Sequence, residues 1–586
     1  MMRLIRIRLF CVLVAVMMAT MGHSAQIVSN GLRYDINSDG KTLTLTTSNP
    51  FGPSLGDVQS YDISGAVVIP STITVDGTKY TVTAIGKRAF NRSSGITALT
   101  IPATVTSIGE KAFYMCSGLT RVNITDMAAW CSIDFAESWS NPLFYYDVAL
   151  YLNGTKVTKL TVPSTVKSVK AYAFCDYDLL TSVTLPTSVT SIGESAFSSC
   201  NALTTVSLPN SLTSIGQYAF FCCEALATVS IPSKVTAIDK TAFSGCAALA
   251  TVNWNVANYA DLQEGESPFA GYTSIKTFTF GNTVKHVPAY LCYNLSGLSQ
   301  VTISASVNAV GDHAFYGCSG LTRVNISDLA AWCKIDFYDT SSNPLRYAKK
   351  LYLGDNLVTT LTIPSTVATI KKYAFYNCAS LTQLTIPQTV TTVDFWAFMG
   401  CSGLTDVTWG VPSCADFDWM SAPFTGLSNI ETFVIASSVT RIPENLCYNL
   451  SGLTKLIIPS TVNSIGDNAF NNCKGLKRVI NLAATPQTIA NNVFNGVSKS
   501  NCLLIVPGKA VPLYRAATVW KDFLISCRGD VNGDGEVTSS DLACIVNVLA
   551  GLPDGEQFKS RADVNEDNEV TAADVGVVVN ILAGLE

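Results

Sequence analysis

Along most of the chain, apolar and polar positions alternate over short runs that end at a proline. In LTSVTLP, Leu180 to Pro186, the apolar Leu180, Val183 and Leu185 are set among polar residues, Val183 and Leu185 in strict alternation. That period of two predicts a short strand with one buried face. The proline lacks a ladder donor and ends the strand. SVTSIG then predicts a second extended piece, with Gly193 permitting a turn. ESAF opens a tight helical turn that sends Phe197 and Cys200 inward. The unit returns as LTTVSLPNSLTSIGQYAFFCCEA from Leu203 and LATVSIPSKVTAIDKTAFSGCAA from Leu226, a period of 23 residues. Phe174, Phe197, Phe220 and Phe243 keep the period, as do Pro163, Pro186, Pro209 and Pro232. One unit cannot bury its apolar side alone, whereas stacking buries it and pairs the strands. The expected product is a curved right-handed solenoid with a parallel sheet along one face.

Larger duplications overlie the small ones. YMCSGLTRVNITDMAAWCSIDF from Tyr114 returns as YGCSGLTRVNISDLAAWCKIDF from Tyr316, and PAYLCYNLSGL from Pro288 as PENLCYNLSGL from Pro443. The copied blocks carry aromatic-rich insertions at 124–150 and 326–350, each with an Ala-Ala-Trp-Cys step at Trp130 and Trp332. A solenoid needs capped ends. Alternating runs in 26–85, with turns at Asp39-Gly40 and Asp76-Gly77, predict β-hairpins over the first rung. Residues 480–527, ending in LYRAATVWKDFLISC, predict a strand and a helix over the last.

The unit L-x-x-L-x-I-P-x-x-V-x-x-I-G-x-x-A-F-x-x-C resembles the BspA-like family of bacterial surface leucine-rich repeats, here over 86–479. The resemblance implies a leucine-rich-repeat solenoid, β-rich, with short strands and tight helical turns. It also implies a secreted or cell-surface bacterial protein of adhesion type, whose solenoid contacts a protein or glycan ligand.

The compartment has its own signal. Arg3, Arg6 and Arg8 precede an apolar run from Leu9 to about Met21, and His23-Ser24-Ala25 ends in a small residue. Residues 1–25 therefore read as a secretory signal peptide. The run is too short to span a membrane, and no later segment looks transmembrane. Eight of the nineteen cysteines recur at one repeat position, three residues after the repeat phenylalanine. That favours a column of buried thiols over a disulfide framework. Cys502 and Cys527, outside the repeat pattern, are the candidate exception. Residues 528–586 hold twelve acids and three bases, residues 26–527 31 acids and 32 bases. The acidity thus belongs to the tail, and nothing suggests a nucleic-acid surface.

Within that tail, DVNGDGEVTSSD spaces oxygen donors for a hard cation. The side chains are Asp530, Asn532 and Asp534, then Glu536 through its carbonyl, Thr538 and Asp541, with Gly535 at the sharp turn. DVNEDNEVTAAD repeats the set as Asp563, Asn565, Asp567, Glu569, Thr571 and Asp574, with Asn568 at the turn. Two Ca2+ ions are the expected load. Apolar helices follow each loop, LACIVNVLAGL and VGVVVNILAGL. Two loop–helix units, 33 residues apart, resemble a type I dockerin over 528–586. The resemblance implies a small all-α calcium-binding domain and a cohesin-like partner. It assigns partner contact to Ser539 and Ser540 in the first unit and Ala572 and Ala573 in the second. Their difference argues against two equivalent binding modes. A structural staple for the C-terminus is the competing reading.

Other features weigh less. Arg528-Gly529-Asp530 spells an integrin-type tripeptide, yet Asp530 is already a calcium ligand. After signal removal only His286 and His313 remain, at repeat positions expected to be exposed spacers. No nucleophile elbow, phosphate loop or zinc cluster appears, so no enzyme is expected. Trp139, Tyr145, Tyr146, Tyr338 and Tyr347 in the insertions could contact sugars or proteins, or pack locally beneath the loops. Trp254 and Trp409 sit at apolar repeat positions and are expected in the core. A binding protein is therefore expected. The alternative is a non-catalytic targeting or spacing component of a polysaccharide-degrading assembly.

Overall fold

Each 23-residue turn is closed mainly by what the next turn supplies. In the computed structural model, residues 26–46, 63–144, 147–420, 422–534, 536–565, 567 and 569–583 are described. Tyr145, Tyr146, Gly535, Asn568 and the leader 1–25 lie outside them. The chain divides into two compact units: residues up to Ser299 with Phe315–Ser319, and Gln300–Ala314 with Gly320 onward.

In the first unit, Leu32–Ile36 and Thr42–Thr46 form a hairpin around Asp39-Gly40, and Thr72–Val75 pairs Thr78–Ile85 around Asp76-Gly77. Gly40 and Gly77 sit at φ of 62° and 79°, where a Cβ would be strained. Parallel rungs follow. Lys159–Thr161 pairs Ser182–Thr184, which pairs Thr205–Ser207. Register joins equal repeat positions, Val183 to Val206 and Ile192 to Ile215. Inside, Phe174, Phe197, Phe220 and Phe243 stack at 5.5 Å with nearly parallel rings. The Sγ atoms of Cys200, Cys223 and Cys246 donate to the carbonyls of Phe174, Phe197 and Phe220 at 3.1–3.2 Å.

The turn after the second strand is built the same way. The N–H groups of Ser195, Phe197 and Ser199 donate to the carbonyls of Gln217, Ala219 and Phe221 on the following turn. Those of Ala196 and Ser198 close i→i+3 bonds within their own turn. Ser195 and Ser199 take left-handed φ of 50° and 55°. Backbone groups that would be orphaned in an isolated loop are thus paired vertically.

The second unit repeats these rungs. Thr360–Thr362, Gln383–Ile386, Asp406–Trp409, Thr432–Ile435, Lys455–Ile458, Arg478–Asn481, Leu503–Val506 and Leu524–Cys527 form one parallel sheet. Its last turn is covered by the helix Val511–Ala516 and Trp520. The Tyr514 hydroxyl donates to Ala483 O and the Trp520 indole to Gln487 O.

The insertions fold alike in both units. Asp126 caps the helix Met127–Cys131, and Asp328 caps Leu329–Trp332. Each helix buries its tryptophan, whose indole donates to Ala173 O at 3.0 Å or Ala374 O at 2.8 Å. Trp254 and Trp409 are also fully buried, but their indole N–H groups meet no acceptor.

The eighteen described cysteines are free. The Cys502–Cys527 alternative fails on register. Val506 faces Cys527, and Cys502 lies four residues earlier, roughly 13 Å along a strand. A disulfide needs Cα atoms within about 7 Å. Among the described residues, no helix is long and apolar enough to cross a membrane.

Candidate metal centre and binding surfaces

Residues 528–583 wrap a small core of Val531, Ile545, Val564 and Val578. Two helices, Ser539–Leu549 and Ala572–Leu582, start at Thr538 and Thr571, each closed by a capping box with Asp541 or Asp574. Those two aspartates are fully buried. Asp541 Oδ1 accepts from the N–H groups of Val531 and Asn532 at 2.7 and 3.0 Å, and Oδ2 from Thr538 at 2.8 Å. Asp574 does the same with Val564, Asn565 and Thr571. Each closing carboxylate therefore ties the loop's start to its own helix.

The remaining donors face one another. Asn532 Nδ2 lies 2.7 Å from Asp534 Oδ2, and Asn565 Nδ2 lies 2.8 Å from Asp567 Oδ2. Asp530 Oδ1 accepts from Gly533 N–H at 2.7 Å. Glu536 and Glu569 expose their side chains. The donor set is oxygen only and rich in carboxylate, which fits calcium rather than a softer ion. When bound, that ion would neutralise carboxylates held at close quarters. Asp530, Asn532, Asp534, Thr538 and Asp541, with the Glu536 carbonyl, would hold it in the first loop. Asp563, Asn565, Asp567, Thr571 and Asp574, with the Glu569 carbonyl, would do so in the second. Gly533, at φ of 81°, leaves room for the Arg561 guanidinium, which a Cβ would strike.

Ser539, Ser540, Ala572 and Ala573 are all exposed at the helix starts. Beyond them Val546, Leu549, Leu552, Val579 and Leu582 are apolar groups 43–50% exposed among the described residues. Asp530 is nearly buried and accepts from Gly533 and Ser526, which removes it from an integrin-type tripeptide.

The solenoid carries groups that the sequence pattern does not reveal. On the outer strand face Arg121 lies 3.8 Å over the Tyr151 ring, and Arg323 lies 4.1 Å over Tyr352. Tyr373, Phe395 and Trp396 form a cluster with ring centroids 5.6–5.8 Å apart. Nearby, Trp419 is 52% exposed and meets Tyr448 at 6.0 Å. The Phe395-Trp396 doublet was the available signal, standing where other repeats hold polar or single aromatic residues. Of the insertion aromatics, Trp139 packs on Tyr114 and Phe144, Tyr347 is half-buried near Arg346, and Tyr338 is 64% exposed. His286 and His313 are not bare spacers. Both are half-buried, with ring nitrogens 2.7 Å from Asp261 and 2.5 Å from Asp312.

Burial pushes the column thiols up, Cys116 and Cys246 to about 12 and Cys200 and Cys223 well above the usual thiol value. They stay protonated and offer no thiolate nucleophile.

Residues 72–134, 149–264, 262–357, 348–477 and 418–506 match the BspA type Leucine rich repeat region, and residues 528–583 match the Dockerin type I domain. No curated protein matches. Among solved structures, a leucine-rich repeat protein from Bacteroides ovatus is 22% identical, with 78% of this chain and 94% of that chain covered and a TM-score of 0.37. A leucine rich cell surface protein from Faecalibacterium prausnitzii is 24% identical, with 78% and 94% covered and a TM-score of 0.31. A leucine-rich repeat protein from Eubacterium ventriosum is 17% identical, with 81% and 96% covered and a TM-score of 0.26.

Proposed function

Since the chain belongs to the BspA-type leucine-rich-repeat proteins and ends in a type I dockerin domain, we propose that it is a non-enzymatic extracellular binding protein anchored through its tail. The leader 1–25 directs export. The dockerin module, carrying two Ca2+ ions, docks to a cohesin-like partner through Ser539, Ser540, Ala572, Ala573 and the apolar groups beyond them. The solenoid contacts a protein or glycan ligand, as an adhesion-type surface. One observation carries the docking reading: apolar residues of both helices remain about half exposed beside the exposed helix starts. Apolar patches of that kind mark interaction sites.

The test is a pull-down from the producing cell's surface with the full chain, with and without chelator, beside Leu549→Asp and Leu582→Asp variants. A specific partner lost on chelation and in the variants supports docking. Calcium binding with no partner would reduce the module to a cap.

A second reading makes the chain a non-catalytic targeting or spacing component of a polysaccharide-degrading assembly. The exposed rings of Phe395, Trp419 and Tyr338 favour it, since such rings stack on sugars. Retention on insoluble polysaccharide, lost in Trp419→Ala, supports this version. Retention unchanged in Trp419→Ala, or absent from the start, counts against it.

A further inference from the structure

Two copies of one surface turn carry different charge. The first holds Glu110, Lys111 and Glu137, and the second, 202 positions on, holds Asp312, His313 and Asp339. In the first copy the acid is neutralised internally. Lys87 Nζ lies 2.6 Å from Glu110 and Lys111 Nζ lies 3.9 Å from it. Glu137 accepts from the Lys111 N–H at 3.0 Å. In the second copy both lysines are gone. Ala289 stands at the position of Lys87 and His313 at that of Lys111, while both acids remain as aspartates.

The three groups of the second copy converge. Nδ1 of His313 lies 2.5 Å from Asp312 Oδ1, and one ligand atom from each of Asp312, His313 and Asp339 lies within 4.8 Å of the others. All three are half-buried. Asp339 is held firmly. Its Oδ1 accepts from the N–H groups of Ser341 and Ser342 at 2.9 and 2.8 Å, and the Ser341 hydroxyl lies 2.8 Å from both oxygens. The cations on the same surface are engaged elsewhere. Lys372 meets Tyr338 O and Asp336, and Arg346 donates to Thr340.

We propose that Asp312, His313 and Asp339 form a site for one divalent transition-metal ion, separate from the calcium loops. An ion about 2.0–2.2 Å from nitrogen and oxygen ligands needs them about 3.4 Å apart. Binding would therefore require the Asp312 and His313 side chains to rotate and close the present spacing of up to 4.8 Å. Imidazole with two carboxylates selects zinc, cobalt or manganese over calcium, which prefers oxygen alone. Serines 341 and 342 supply the outer hydrogen bonds that orient a ligating carboxylate. Three protein ligands leave further coordination positions to water or to a side chain from a bound partner.

The test is Co2+ titration of the calcium-saturated full chain, followed by visible absorption and calorimetry. One Co2+ per chain is expected at micromolar concentration, with a d–d band of a nitrogen–oxygen site. His313→Lys installs the sibling copy's residue on the same framework and should abolish uptake, with the β-rich circular dichroism unchanged. Asp339→Asn should weaken uptake at least tenfold, and His286→Ala should leave it intact. No uptake by the parent chain, undiminished uptake in His313→Lys, or loss in His286→Ala would overturn the assignment.

Discussion

The same position in successive turns does the same job, so one residue's contribution can be read from its column. Phe220 is fully buried between Phe197 and Phe243. Phe220→Ala should cost about 3–5 kcal/mol, as other large-to-small core changes do, measured by urea denaturation. The tryptophans give a sharper contrast. Trp130 has a hydrogen bond to lose and Trp254 has none. Trp130→Phe loses that bond while Ala173 O keeps the Asn141 amide, so it should cost about 0.5–1.5 kcal/mol more than Trp254→Phe in the same assay. The phenylalanine and cysteine columns were legible because they recur. The metal-type triad was not, because His313 reads as a spacer until Asp339 is brought beside it from 26 residues away.

Among elements, the strands were legible from alternation and the calcium loops from the spacing of oxygen donors. Less legible were the turns. Their left-handed residues include Ser195, Tyr218 and Trp396, which carry none of the glycine signal that usually marks such backbone. Vertical hydrogen bonds hold them there, and those depend on the neighbouring turn. The loop acids divide by role. Asp541 receives three backbone N–H groups while the Glu536 side chain faces solvent. Asp541→Ala should therefore unfold the module, seen as lost helical circular dichroism and lost calcium uptake. Glu536→Ala should leave both near the parent values, since only its carbonyl would meet the ion.

For the whole molecule, acidity is confined to the tail and the repeats are nearly neutral. The calcium-dependent part and the stacked part rest on different physics, ion neutralisation in one and apolar burial in the other. Chelation should therefore remove helical signal from the module and leave the β-rich circular dichroism of the solenoid. Collapse of both together would mean that they fold as one. Sequence could assign these two classes of domain because each is defined by repetition. It could not supply the exposed chemistry of Trp419, which follows no period.

Thr204 Oγ1 donates to Thr181 O, and Thr181 Oγ1 to Thr158 O, each reaching back 23 residues. Where threonine holds this position, a turn thus recognises its predecessor by the same bond each time. Length in whole turns is then almost a free variable. Excising residues 203–225 would bring Leu226 onto Leu180 with every phenylalanine still in phase, whereas removing one residue fewer would turn a column outward. Recombination between copies can therefore lengthen or shorten the reach of such a protein without designing any new interface.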